Sequence, residues 1–167
     1  MSLVEVNIEQ IPTGQWKENC YIISKSIGEA LVIDPGNDKQ KITKYIDNND
    51  FNVSAILNTH AHFDHIGAVK YLKDKYNSPF FLHSADERLL RSANLYVKLF
   101  DGTDLVGIPT VDYFYDKSNV QDVIKRFSIE VIFTPGHTQG SVCLLIDDCL
   151  FTGDTLLINS TGRTDFQ

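Results

Sequence analysis

Four side chains able to ligate a metal, His60, His62, Asp64 and His65, fall together in Thr59-His60-Ala61-His62-Phe63-Asp64-His65-Ile66-Gly67. Three of the chain's five histidines are among them. In extended backbone His60 and His62, two apart, point the same way. Asp64 and His65 stand where a helical pattern begins, so a chain turning there aims them at a second point nearby. Imidazole and carboxylate donors at this density suit zinc or iron. A polar loop that happens to carry three histidines is the bland alternative, and the clustering argues against it.

Two later segments repeat the arrangement. His137 follows Thr134-Pro135-Gly136, and Asp154 follows Gly153. Alone, His137 reads as a turn residue and Asp154 as a turn residue or helix cap. All three segments follow an apolar strand pattern, however. Three strand ends that deliver ligand types into loops point to one metal site.

The elements that must position these residues are legible in outline. Alternating apolar residues predict a strand over residues 3–8. Apolar runs at 20–24 and 30–33, with Gly28 between them, predict a hairpin. Asp34-Pro35-Gly36-Asn37 is a turn, and Ile42, Tyr45 and Ile46 mark one face of the helix after it. Further strands are expected at 53–57, 79–82 and 129–133, and a hairpin over 142–146 and 149–152. Helices are expected over 68–76 and 85–97, the latter with Ser84 and Glu87 forming a capping box. Residues 100–116 read as a long ordered loop. The class is mixed α and β, in a single domain over residues 1–167.

Composition narrows the function. Fifteen Lys and Arg against 22 Asp and Glu give a formal charge of -7, and the pI is about 5.1. A net acid repels phosphate backbones, so no nucleic-acid partner is expected. No apolar run reaches the roughly 20 residues of a membrane helix, and no export signal precedes the first strand pattern. The three cysteines, Cys20, Cys143 and Cys149, form no close pair of ligand type and read as reduced thiols of a cytoplasmic protein.

THAHFDHIG, TPGHTQGS and FTGDTLL, in that order, resemble the metallo-β-lactamase-fold hydrolases, and within them the glyoxalase II-like (hydroxyacylglutathione hydrolase-like) subgroup. NCYII, VIDPGN and GRTDF match that subgroup as well, and the likeness spans nearly the whole chain. The resemblance implies an α+β fold, a four-layer αββα sandwich with a metal pair at one edge of its two sheets. It implies that His60, His62 and His137 hold a first metal, that Asp64 and His65 belong to a second, and that Asp154 bridges both. It implies that Asp34 supports the ligand loops from behind; read by itself, Asp34 is equally a turn carboxylate bonded to local amides.

The family takes one more second-metal His from a loop downstream of the bridging Asp, and its fold continues beyond the point where this sequence stops. No His follows His137 here. The expectation is a chain lacking its C-terminal elements, with a well-filled first site, a weak second one, and uncovered apolar surface that favours a homo-oligomer. Gln139, where the family usually has Pro, is expected to leave its loop on the same path.

The resemblance implies hydrolysis of a small-molecule acyl-thioester, with no membrane partner, by a zinc-activated hydroxide that Asp64 orients as a catalytic residue. The alternative within the same fold is a persulfide dioxygenase with one non-haem iron on His60, His137 and Asp154. A metal-binding but inactive fragment is the third reading. Arg163 and Asp165 read as a loop-fixing or buried ion pair, His83 as a surface or supporting residue, and Tyr113-Phe114-Tyr115 as core in preference to the lining of a substrate groove.

Overall fold

A computed structural model describes residues 6–26, 28–102, 104–117 and 121–165. The chain opens with an antiparallel meander of β1 (Asn7–Thr13), β2 (Glu18–Ser26) and β3 (Glu29–Ile33). The first strand thus runs later than the pattern at 3–8 suggests; residues 3–5 lie outside the described residues. α1 (Lys39–Asn48) then leads to β4 (Asn52–Leu57). Next come the short α2 (Phe63–Ile66), α3 (Val69–Tyr76), β5 (Phe80–Leu82), α4 (Glu87–Tyr96) and β6 (Tyr113–Phe114). β3 to β6 are parallel neighbours, and the six strands are ordered β1-β2-β3-β4-β5-β6.

That order decides the layering. Successive parallel strands laid down in one direction, each joined by a right-handed crossover, put every crossover helix on the same face. The opposite face is left for another partner. It is taken by an antiparallel sheet of β7 (Ile129–Phe133), β8 (Val142–Ile146) and β9 (Cys149–Phe151), reached through α5 (Gln121–Arg126). A two-stranded ribbon, β10 (Leu156–Leu157) with β11 (Ser160–Thr161), follows.

Side-chain alternation along the central strands feeds two cores. Ala30 and Val32 of β3 face α1, α3 and α4, with Ile42, Ile46, Leu72 and Leu90. Leu31 and Ile33 face the second sheet, with Ile129, Leu144 and Ile146. Both faces of β3 are therefore dry, which is why it reads as a continuous apolar run. Among the described residues these layers are helix, sheet and sheet, three of the four in the sandwich, with α5 packed against β7.

Several local expectations change. Ser84 does not cap α4. A 3-10 turn (Ser84–Asp86) precedes that helix, His83 Nδ1 accepts the Ala85 amide, and the Ser84 hydroxyl donates to Asp116 Oδ2 at 2.6 Å. The competing carboxylate wins the hydroxyl because it is the stronger acceptor. Past α4 a π-helical turn (Val97–Asp101) extends the helix. The 100–116 stretch is mostly irregular but ends in β6. Tyr113 of β6 is 38% exposed, stacked on Phe81 rather than buried. Arg163 and Asp165 do pair, through two hydrogen bonds, but in the open. His83 stacks on Phe133, with ring centroids 4.4 Å apart. Cys20 and Cys143 are buried and Cys149 is half-buried; all three are free thiols. Among the described residues no helix is long and apolar enough to cross a membrane.

Candidate metal centre

The carboxyl ends of β3 and β4 leave the sheet side by side, and those of β7 and β9 leave the second sheet at the same edge. Residues 34, 58–65, 137 and 154 sit on the four segments that emerge there. In open sheets this carboxyl edge is where sites collect.

The β4 segment is held in place by polar side chains behind it. Asn58 donates from Nδ2 to the carbonyls of His65 at 2.8 Å and His60 at 3.3 Å. Asp34 accepts the Thr59 amide at 2.7 Å and the Thr59 hydroxyl at 2.6 Å. The Val142 amide of β8 donates to the Thr59 carbonyl at 2.9 Å, so the second sheet is tied to the same residue. His62, extended at φ -66 and ψ 148, starts α2. Asp64 and His65 then turn back toward the histidines before them.

The result is one cluster. Nitrogens of His60, His62 and His137 lie within 4.8 Å of one another. His62 Nδ1 faces His137 Nε2 at 2.9 Å. Asp154 reaches both halves: Oδ2 is 3.4 Å from His137 Nε2, and Oδ1 is 3.4 Å from His65 Nε2. Asp64 Oδ2 is 4.0 Å from His65 Nε2. The structure thus brings together all six residues singled out as ligands, in the grouping of three imidazoles, a spanning carboxylate, and an Asp-His pair. Asp34 stands behind: its Oδ2 is 3.2 Å from His65 Nδ1, on the far side of that ring. Its oxygens bond Thr59, 25 residues away, which fits support for the ligand loops; with His60 and His65 it also offers donor atoms within 4.8 Å of one another.

Do these residues fit a cation? His60 Nε2 is buried with no hydrogen-bond partner. A lone pair left dry and unpaired is costly unless something electron-poor meets it. His137 Nδ1 lies 2.9 Å from the Arg163 carbonyl, which fixes its proton there and leaves Nε2 free to ligate. Burial, with His137 and His65 nearby, lowers the His62 pKa to about 3. Burial and the surrounding His65, His62 and His137 likewise hold His60 well below the usual histidine range. Both are the neutral imidazoles that a metal requires. His65 goes the other way. Burial lowers it, but Asp154, Asp34 and Asp64 outweigh burial and hold it well above the ordinary value. Positive charge is favoured among those carboxylates. The donor set fits a metal.

Two supporting residues were invisible in the motif reading. Asp86, only 1% exposed, accepts from the Ala61 amide at 2.9 Å, the Thr138 hydroxyl at 2.8 Å and the Gly140 amide at 2.7 Å. It ties the His60-His62 loop to the His137 loop. A Cβ on Gly140 would stand 2.7 Å from the Asp86 backbone nitrogen, so only glycine lets the two approach. Glu18, also buried, accepts the Thr13 hydroxyl through one oxygen and leaves the other dry. Burial pushes its pKa up to about 7. Neither residue sits in a motif; one acid in a helix-start pattern and one in a polar run give no signal without the fold. Thr59 is within the first motif, yet the two hydrogen bonds it donates to Asp34 are also a property of the fold.

The loop from β9 needs a glycine too. Gly153 has φ +48, and a Cβ there would overlap the Thr59 hydroxyl. That contact brings Asp154 to the histidines.

Comparison with known proteins gives the same picture. Residues 13–167 match the model of the metallo-beta-lactamase superfamily. The chain is 30% identical to hydroxyacylglutathione hydrolase GloC of Haemophilus influenzae, covering 96% of this chain and 77% of that protein. Among solved structures, the BLEG-1 B3 metallo-beta-lactamase superposes with a TM-score of 0.86 at 33% identity, over 96% of this chain and 78% of that one. TTHA1623, solved in a di-iron-bound form, superposes with a TM-score of 0.81 at 30% identity, over 95% and 77%. With the sandwich, the ligand-bearing edge and these likenesses together, the chain belongs to the metallo-beta-lactamase superfamily.

Proposed function

We propose that the chain is a metal-dependent hydrolase of acyl-thioesters. His60, His62 and His137 would hold a first metal, Asp64 and His65 a second, with Asp154 shared. The observation that carries the reading is the convergence of three imidazole nitrogens within 4.8 Å, with Asp154 spanning from His137 to His65. A bound zinc would lower the pKa of a coordinated water to about 7 and polarise the carbonyl.

The chain's own residues supply the rest. Arg163, through its carbonyl, fixes the His137 ring. Asp154 is held between His65 and His137. Asp64 faces the cluster from the start of α2 and orients the attacking water. The water gives up a proton to solvent, its oxygen bonds to the acyl carbon, the C–S bond breaks, and the electron pair leaves on sulfur. A free thiol has a pKa of about 8.5, so its thiolate departs without a proton donor. An amide needs one, which favours a thioester over a β-lactam. The name carried by the Haemophilus relative supports the same choice.

Among the described residues the second metal has Asp64, His65 and a shared Asp154 against three imidazoles and that carboxylate for the first, so for these residues the second site is the weaker. Zinc is the proposed metal; the di-iron form of TTHA1623 makes iron the alternative. Three free thiols support a reducing, cytoplasmic compartment.

The test is metal analysis of protein expressed without supplement, followed by assays of the zinc-loaded protein on hydroxyacyl-glutathione, other thioesters and a β-lactam. Thioester cleavage that stops with chelator is expected. Intact thioesters with a filled site sink the reading. Iron in the protein together with oxygen uptake on glutathione persulfide replaces it with the dioxygenase. Two tightly held ions per chain overturn the weak second site.

A further inference from the structure

Two cavities open beside the ligand cluster, one almost wholly apolar in its walls and one mixed. One, about 320 Å³, is walled by Trp16, Phe63, Tyr96 and Phe100. The other, about 420 Å³, runs along α4 past Arg88, Ser92 and Gln139. His62, Tyr96 and His137 line both, so the arms meet where the metal ligands are.

The aromatic wall is tethered rather than loose. Trp16 Nε1 donates to Asp101 Oδ1 at 2.8 Å, and Gln15 bonds the same carboxylate. Tyr96 and Phe100 stack with centroids 6.2 Å apart and planes 14° from parallel. Yet Trp16 is 57% and Phe100 55% exposed. Large apolar rings fixed in place and left wet mark a surface that something apolar covers.

The arm along α4 is mixed: Leu89 and Leu95 line it together with Arg88, Ser92 and Gln139. Arg88 is exposed and forms no ion pair among the described residues, while Arg91, one turn on, is paired with Glu87 at 2.5 Å. In a chain with a formal charge of -7, an uncommitted guanidinium at the mouth of a cleft is a local exception. A guanidinium is also the side chain best shaped to take a carboxylate in two hydrogen bonds.

We propose that the two arms divide the substrate between them: an apolar acyl group lies against Trp16, Phe63 and Phe100, and Arg88 binds a carboxylate on the thiol carrier. This rests on the thioester reading and adds the charge of the carrier and the character of the acyl group. The scissile C–S bond then falls beside His62 and His137, where the arms meet. On cleavage the carrier leaves as a thiolate along α4, the acyl group leaves as a carboxylate carrying the water oxygen, and the two protons of the water pass to solvent.

The experiment pairs two carriers, 3-mercaptopropionate and neutral N-acetylcysteamine, with two acyl groups, phenylacetyl and acetyl. For the zinc-loaded protein KM is expected to be about tenfold lower for the carboxylate carrier. Arg88→Gln is expected to erase that preference, Arg88→Lys to keep part of it, and Arg91→Gln to keep all of it. Trp16→Ala is expected to raise KM several-fold more for phenylacetyl than for acetyl. Independently of turnover, titrating S-methyl-3-mercaptopropionate into metal-free protein is expected to shift the amide NMR signals of α4 around Arg88, and not in Arg88→Gln. Equal KM values for the two carriers, or a preference that survives Arg88→Gln, overturns the inference while the thioester reading stands. If no thioester is cleaved, the thioester reading falls, and an absence of shifts on α4 removes the carboxylate site as well.

Discussion

His62 Nδ1 and His137 Nε2 face each other at 2.9 Å across two loops that are 75 residues apart in the chain. Their rings stand nearly perpendicular, at 85°. Because His137 Nδ1 is turned to the Arg163 carbonyl, the His137 nitrogen in the pair is a lone pair, and a cation sharing both rings has its ligands already aimed.

This geometry predicts how metal uptake responds to pH. Burial holds His60 well below the usual histidine range and brings His62 to about 3, so protons do not compete for them near neutrality. His65 is protonated well above the ordinary histidine range. A metal that engages His65 must displace that proton, so its binding tightens as pH rises. Calorimetry in buffers of different ionisation heat should show greater proton release on filling the second site than on filling the first. Equal release at both sites contradicts the assignment.

Chelation should lower thermal stability, because the ligand loops are held to one another partly through the shared ion. A ligand bound only to the folded state contributes about 4 kcal/mol at a thousandfold excess over its Kd. A melting temperature unchanged by chelator, in protein shown to contain metal beforehand, argues that the cluster folds without using it.

Asp86→Ala should weaken both fold and site. Three donors, at Ala61, Thr138 and Gly140, lose a charged acceptor in a buried setting. The cost is about 3 kcal/mol, and metal affinity should fall roughly 10- to 100-fold as the loops lose their tie. Denaturant unfolding and metal titration read the two effects separately. Loss of stability with unchanged affinity would show that Asp86 does not position the ligands.

Glu18 gives stability an unusual dependence on pH. Its folded pKa, about 7, is above the ordinary value of 4.5. Between these values the folded state holds a proton that the unfolded state has lost, so Glu18's contribution falls as pH rises through this window. Glu18→Gln cannot lose that proton. Its unfolding midpoint should therefore decline less than the parent's between about pH 5 and pH 8. Parallel profiles for the two proteins would refute this.

Gly153→Ala should act at a distance. The positive φ and the overlap with Thr59 together cost about 1–3 kcal/mol. Relief by movement of the loop would carry Asp154 away from His65 and His137. Stability and metal stoichiometry should drop together; a variant as stable as the parent with full occupancy would show that the loop has room to spare.

The number of ligand-type residues, their grouping into three segments and the strand-then-loop context of each were legible along the chain. So were β2 to β5, α1, α3, β7 and the β8-β9 hairpin, because a half-buried or buried element writes its burial into a two- or 3.6-residue period. Three things were not. The start of β1 depends on pairing with β2, the capping of α4 was decided by competition from Asp116, and α5 carried no clear pattern. Residue type and spacing alone pointed to a metal and singled out six candidate ligands. Tertiary structure alone decided how they are held. Asp86 binds amides 25 and 54 residues away, Asp34 binds Thr59, and the Arg163 carbonyl orients His137. The physical reason is that a ligand's chemistry belongs to its side chain, whereas the direction of its lone pair is set by hydrogen-bond partners that only the folded sheets bring within 3 Å.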